Sequence, residues 1–464
     1  MKLLFIHGWS VTSTDTYGVL PQVLAASAPA GMNLSIEHVF LGQYVSFKDE
    51  VRMSDLVVAL DHALKDTLRD NERFSCITHS TGGPVVREWV NTYYGKDKLS
   101  QLPMDHLIML APANHGSALA QLGKARVGRM KAWFDGVEPG QGILDWLELG
   151  SLGQWQLNTE WMEYPFTKGF YPFVITGQDI DKKFYDYLNA YTAEKGGDGV
   201  VRVAATNLNY RLVDLLEDVN SSVDFRLANG DKGTAQVLSL AQPPKLSVSR
   251  TPIEILPNTS HSQKSMGIMA SVTKGNQARK QVVASIFECL AVASEADYRQ
   301  VDTAMQSRTA KVQKPAQQYS MVVFRVVDST GKLVTDYDLY LLGGSTYMPD
   351  KLPKGFFADK QKNKVNQSHL TYFFNHDKLK NIADGKIGFR VIARPSEGFA
   401  FYKPVEFRSD GIEFSELLIA NQTLLVQITL NRYVDQRAFL FTPASEGNVD
   451  FKKRKPSGEG YPVS

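Results

Sequence analysis

Three residues that lie far apart in the chain have the types that together cleave an ester: Ser80, Asp198 and His261. A serine hydroxyl is a poor nucleophile at neutral pH. It attacks a carbonyl when a histidine takes its proton and a carboxylate fixes that histidine's tautomer. Ser80 is the candidate nucleophile because of its flanks. The stretch Phe74-Ser75-Cys76-Ile77-Thr78-His79-Ser80-Thr81-Gly82-Gly83 leads an apolar run into a serine and two glycines, and Pro84 then opens a helix-like segment over 85–90. Strand, tight turn, then helix is the layout of a nucleophile elbow, with small residues where strand and helix approach closely. The usual pattern is G-x-S-x-G. Here Thr78 takes the first glycine position, so the motif alone also fits an ordinary Ser/Thr/Gly turn.

What surrounds the elbow weighs for catalysis. An elbow serine is followed along the chain first by its acid and then by its histidine, on loops beyond sheet strands. Asp198 lies in Lys195-Gly196-Gly197-Asp198-Gly199-Val200-Val201, between glycines and ahead of an apolar run. Asp179 and Asp181 compete for the role, since they follow the strand-like 171–177 more directly, and a plain hairpin turn is the bland reading of Asp198. Of the nine histidines, His7 and His79 flank the candidate loops and are read as positional. His38 and His62 precede the serine, His106 opens a strand, His115 precedes every acid candidate, and His369 and His376 fall in the C-terminal part. His261, in Asn258-Thr259-Ser260-His261-Ser262, remains as the base. An oxyanion hole would use the backbone N–H groups of Thr81 and of Trp9, the latter in the loop His7-Gly8-Trp9 after the first strand.

The elements that must position these groups alternate in type. Apolar runs at 2–6, 35–40, 106–111, 171–177, 200–203 and 253–256 read as strands, and 55–68 and 277–290 carry helical spacing, which gives an α/β class with a largely parallel sheet. Residues 118–170 form an insertion holding four of the six tryptophans, Trp133, Trp146, Trp155 and Trp161. Their ordinary role is a small helical core; their functional role would be a cap that lines an acyl pocket and touches lipid. Residues 210–245 read as a mixed insertion before the last strand. From Tyr319 the apolar period becomes two (Val322, Phe324, Val326; Ile387, Phe389, Val391), the pattern of a β-sandwich.

A net charge of +2 gives no bulk attraction for nucleic acid. Two cysteines, Cys76 and Cys289, read as buried hydrophobes. No apolar run is long enough to span a membrane and no signal peptide is evident, so the expectation is a protein cytoplasmic as synthesised, or exported by a system that needs no signal peptide. Any membrane contact would be peripheral. No cofactor is expected, and the acidic group Asp179, Asp181 and Asp186 reads as a solvated surface, not a metal site.

Together the stretches Ile6-His7-Gly8-Trp9, Thr78-His79-Ser80-Thr81-Gly82-Gly83, Ala113-Asn114-His115-Gly116-Ser117, Gly197-Asp198-Gly199-Val200-Val201 and Ser260-His261-Ser262 resemble the lipase branch of the α/β-hydrolase superfamily. The 113–117 loop is similar to that of lecithin:cholesterol acyltransferase-like and GPI-deacylase-like lipases, and the acid stretch to that of bacterial lipases. The similarity covers residues 1–295. Its combination with a C-terminal β-domain is similar to bacterial lipases and phospholipases, including antibacterial effectors. The resemblance implies hydrolysis of lipid carboxylic esters through an acyl-enzyme. The expected organisation is a hydrolase domain at 1–295 with its cap at 118–170, a linker or helical extension at 296–317, a sandwich-like β-domain at 318–443 and a tail at 444–464. Two alternatives stand beside it: a soluble small-ester esterase or acyltransferase, and a non-catalytic binding protein on a hydrolase scaffold.

Overall fold

The computed structural model of the chain describes residues 1–7, 14–44, 50–125, 140–166, 169–180, 196–226, 230–262, 264–395, 399–410 and 414–434. Strands β1 (Lys2–His7), β2 (Ser35–Phe40), β3 (Phe74–His79), β4 (Met104–Leu110) and β5 (Tyr171–Gly177) lie in one sheet with the later β9 (Ile253–Leu256). The order is β2-β1-β3-β4-β5-β9 and every pair is parallel. The central strands are buried along nearly their whole length, which is why they read as continuous apolar runs and do not alternate. Helix Met53–Thr67 turns Leu56, Leu60, Ala63 and Leu64 into the core, as its spacing predicts, and Asp55 caps its start by accepting the Arg52 N–H at 2.8 Å. After β2 the chain crosses back to place β3 on the other side of β1. The strand order thus reverses between β1 and β3, the kind of point where such sheets bind ligands, and β3 delivers Ser80 at its C-terminal end.

A second sheet is built from β6 (Arg211–Arg226), β7 (Lys232–Leu240), the short β8 (Lys245–Leu246), β10 (Tyr319–Asp328), β11 (Asp336–Gly343), β12 (Phe357–Lys362), β13 (His369–Asn375), β14 (Ile387–Arg394), β16 (Val405–Arg408) and β17 (Thr423–Leu430). Its order is β11-β14-β16-β7-β6-β17-β10-β13-β12, with β8 beside β6; β15 (Ala400–Phe401) and β18 (Tyr433–Val434) pair separately. This one mixed sheet curls over on itself. Phe324 of β10 and Phe389 of β14 meet edge to face at 5.0 Å although four strands separate them in the sheet. The sandwich-like core expected from the period-two pattern is thus enclosed by a single sheet.

Two expectations change, and of the linker or helical extension expected at 296–317 the helix is found. The segment 210–245 is not an insertion within the first sheet's unit: β6 and β7 pair with β17 and β16, so the boundary at 295 does not separate the two sheets. The segment 296–317 is a packed helix, Glu295–Gln313, with Tyr298 and Met305 buried and Arg308 bound to Glu254 at 2.7 Å. Residues 200–203 are not a strand; they form the return arm of a turn, described below.

The two sheets share a core because β10 is buried on both faces. Tyr319, Met321 and Val323 pack with the first sheet's core, while Val322, Phe324 and Val326 face the curled interior. Phe373 and Leu425 likewise join the first core from β13 and β17. Among the described residues no helix is long and apolar enough to cross a membrane, and no group of three or more His, Cys, Asp or Glu is placed to hold a metal. Both cysteines are buried and unpaired.

Candidate active site

Ser80 sits at the end of β3 with φ of 52°, a left-handed conformation that a non-glycine residue rarely holds and that marks the elbow. The turn is fixed on both sides: the Ser80 N–H donates to Leu110 O at 3.0 Å, and Ser80 O accepts from Ala113 and Gly83, each at 3.3 Å. The two glycines after Thr81 are explained by space. A β-carbon on Gly83 would lie 2.8 Å from that of Pro112, and one on Gly82 would lie 3.2 Å from the β-carbon of Thr78. Thr78, the departure from the usual motif, therefore fits because Gly82 leaves room above it.

The three expected groups come together. The His261 Nε2 is 3.1 Å from Ser80 Oγ, and its Nδ1 is 2.8 Å from Asp198 Oδ2. All three side chains are buried or nearly so, with Ser80 retaining 9% exposure. The second carboxylate oxygen of Asp198 accepts from the Val200 and Val201 N–H groups at 3.0 and 2.8 Å, and the Asp198 carbonyl accepts from the His261 N–H at 3.0 Å. The competitor Asp179 stands beside the base loop, its N–H bonded to Thr259 O at 3.0 Å. Asp181, Asp186, Trp9 and Trp133 lie outside the described residues.

Thr81 caps the helix Gly82–Tyr93, where the first amides have no partner within the helix and the macrodipole is positive. His79, read as positional, does contact the base: its Nε2 is 3.2 Å from the His261 carbonyl and the two rings lie 4.6 Å apart. Burial and the neighbouring ring hold His79 well below the usual histidine range. His7 pairs with His38 at 2.9 Å and stacks on Phe40.

The described tryptophans of the 118–170 segment pack against neighbouring side chains. Trp161 stacks on Tyr164 at 4.7 Å and underlies the Arg87 guanidinium, also at 4.7 Å. Trp155 faces His369 of the second sheet at 5.5 Å. Trp146 is partly buried and its ring covers Gly153. These contacts make Trp155 and Trp161 core residues, the ordinary one of the two roles weighed for the tryptophans of 118–170.

Sequence reasoning missed the groups that hold the site together. The buried Arg87, two turns along the elbow helix, donates to Asn114 Oδ1 at 3.2 Å and Asn158 Oδ1 at 2.9 Å. Asn114 in turn donates to Thr206 O at 2.8 Å, and Ser117 Oγ donates to Val200 O at 2.6 Å. The loop after β4 thus joins the elbow helix to the acid turn. An arginine seven residues after an elbow serine is the signal that could have been followed.

Several buried rings make the fold sensitive to acid. Burial pushes His7 and His115 down to about 3, with His38 and Arg87 adding to the effect respectively, and burial with Arg325 pushes His369 down to about 4. Unfolded, these rings take up protons near pH 6.5; folded, they do so only near pH 3 to 4. Between those values the unfolded chain binds more protons, so stability is lost as pH falls from about 6.5. We expect the melting temperature to drop steadily from pH 7 to 5, and His369→Gln to make that drop shallower. An unchanged slope in His369→Gln would show that this ring contributes nothing.

A parallel sheet ending in an elbow serine, with an acid turn and a histidine loop beyond it, defines an α/β-hydrolase. The solved structure of phospholipase PlaB from Legionella pneumophila is 40% identical over 97% of this chain and 97% of that one, with a TM-score of 0.80. The same phospholipase in complex with thio-NAD is 39% identical over 97% and 98% of the two chains, with a TM-score of 0.81. The chain belongs to the PlaB phospholipase family and is a carboxylic ester hydrolase of the lipase and phospholipase type. No protein-family model matches the chain, and no curated protein sequence matches it.

Proposed function

We propose that the chain hydrolyses the acyl esters of phospholipids through an acyl-enzyme on Ser80. Its Oγ attacks the ester carbonyl while His261 Nε2 takes the proton. The oxygen that gains charge is met by the N–H of Thr81, at the start of the elbow helix; the other donor expected from the sequence, Trp9, lies outside the described residues. Collapse of the tetrahedral intermediate breaks the ester C–O bond, and His261 returns the proton to the leaving alcohol. Water, activated by the same ring, then frees the fatty acid. Asp198 holds the Nδ1 side throughout. The observation that carries this reading is the unbroken run of contacts from Asp198 through His261 to Ser80, at 2.8 and 3.1 Å. The phospholipid substrate class is supported by the full-length likeness to a phospholipase.

The test is labelling with a fluorophosphonate probe together with fatty-acid release from phosphatidylcholine and phosphatidylglycerol vesicles. Wild type is expected to label and to release fatty acid, and Ser80→Ala to lose labelling and about 10⁶-fold in turnover. Equal labelling of Ser80→Ala would defeat the nucleophile assignment. Activity confined to water-soluble short esters would defeat the substrate class.

A further inference from the structure

We infer that the second sheet is a working part of the active site, and that Arg202, held by Asp359 and Phe373, is a positioning residue for the catalytic acid. This inference rests on the assignment of Asp198 as that acid.

The acid turn is short and closed. Gly197 and Arg202 form an antiparallel bridge, the Asp198 N–H donates to Val201 O at 3.1 Å, and the Val203 N–H donates to Gly196 O at 3.0 Å. Arg202 is therefore the residue that shuts the turn opposite Gly197, one position before Asp198. Its side chain leaves the turn towards the second sheet and not towards the crevice. The guanidinium pairs with the Asp359 carboxylate and lies 4.3 Å over the ring of Phe373. The charge is buried, with 3% of the side chain exposed against 28% for Asp359.

Asp359 is aimed by a local irregularity. The register of β12 on β13 shifts between Phe357 and Asp359, so one extra residue, Ala358, is accommodated there. Such bulges redirect side chains, and this one faces the acid turn. The remaining supports come from the same sheet. The Thr423 hydroxyl of β17 donates to Ala204 O at 2.8 Å, Asn207 donates to Asn421 O at 2.7 Å, and Gly196, with φ of 82°, lies flat against the Tyr319 ring, where a β-carbon would collide. On its other side the turn is held by Ser117 and Asn114 from the loop after β4. The carboxylate that orients His261 is thus gripped between two layers, and one of them is the sheet that carries no catalytic group.

A misplacement of Asp198 by a fraction of an ångström acts on turnover and leaves substrate affinity alone. The test uses the full chain and a soluble p-nitrophenyl ester. Asp359→Asn, a substitution at a partly exposed site, is expected to lower kcat about ten- to hundredfold with KM unchanged. Arg202→Lys keeps the charge but loses the planar stack, and should retain more activity than Arg202→Gln. The double variant Arg202→Gln with Asp359→Asn should be no worse than the poorer single variant. Arg390→Gln, which breaks the buried Arg390–Glu406 pair elsewhere in the second sheet, is expected to cost stability without changing kcat. Asp198→Asn serves as the reference. If it collapses while Asp359→Asn keeps the wild-type kcat, or if Arg390→Gln lowers kcat as much as Asp359→Asn does, the role given to Arg202 is overturned and the triad stands. If Asp198→Asn itself keeps its activity, it is the triad reading that falls.

Discussion

Asp198→Asn lowers kcat by about four orders of magnitude while leaving the fold intact. The size follows from which way the new amide must face. The Val200 and Val201 N–H groups both donate to one oxygen of Asp198, so the carbonyl oxygen of an asparagine would have to occupy that position. Its NH₂ group is then turned to His261 Nδ1, 2.8 Å away in the native pair. Nδ1 becomes an acceptor, the ring proton moves to Nε2, and the ring has no lone pair left to take the proton of Ser80. The turn's own hydrogen bonds thus enforce the wrong tautomer. Steady-state kinetics on a soluble ester measures the loss, and far-UV circular dichroism checks the fold. A loss of less than tenfold would mean that another carboxylate, with Asp179 nearest in sequence logic, orients the base.

Arg87→Met destabilises the protein by about 3 kcal/mol. The two side chains have similar length, so little space is opened. What is lost is the donor set. Arg87 is fully buried, and burial lowers its pKa to about 10, so its charge is already held at a cost. Its described partners are amide and carbonyl oxygens of Asn114 and Asn158. Removing the guanidinium leaves both Asn oxygens buried with no donor, each a penalty of about 1–3 kcal/mol. Arg87→Lys recovers only part, because one ammonium cannot reproduce a planar fork that bridges two amides. Urea unfolding followed by tryptophan fluorescence reports the difference, since Trp161 lies beneath the guanidinium. Equal midpoints for wild type and Arg87→Met would show that the cross-link carries no weight.

The residues that meet at the site were legible because each obeys a local rule. An elbow needs small residues after its serine, an acid needs a turn, and chain order selects one histidine from nine. The first sheet was legible because buried parallel strands are apolar throughout. What escaped reading depends on distant partners. Nothing within 211–240 says that β6 will pair in parallel with β17, some two hundred residues later. Val200-Val201-Arg202-Val203 reads as a strand because a turn wedged between two layers is as apolar as one. The tryptophans of 118–170 could not be assigned from composition, since an aromatic ring facing a second sheet and one facing an acyl chain have the same sequence. Trp155 is settled only by the position of His369 on β13.

The supports of the acid turn at Asn421 and Thr423 give the enzyme a timetable. Ser80 and Thr423 are 343 residues apart in the chain. At ordinary rates of synthesis, about 5–20 residues per second, roughly 17–70 s pass between the emergence of the nucleophile and that of the last strand that steadies its acid. Through that interval the ribosome carries a chain whose elbow has been synthesised and whose acid turn lacks two of its supports. Ester-cleaving power is then expected to rise only once residues 421–423 have been made, and a chain cut before them to turn over more slowly than one that carries them.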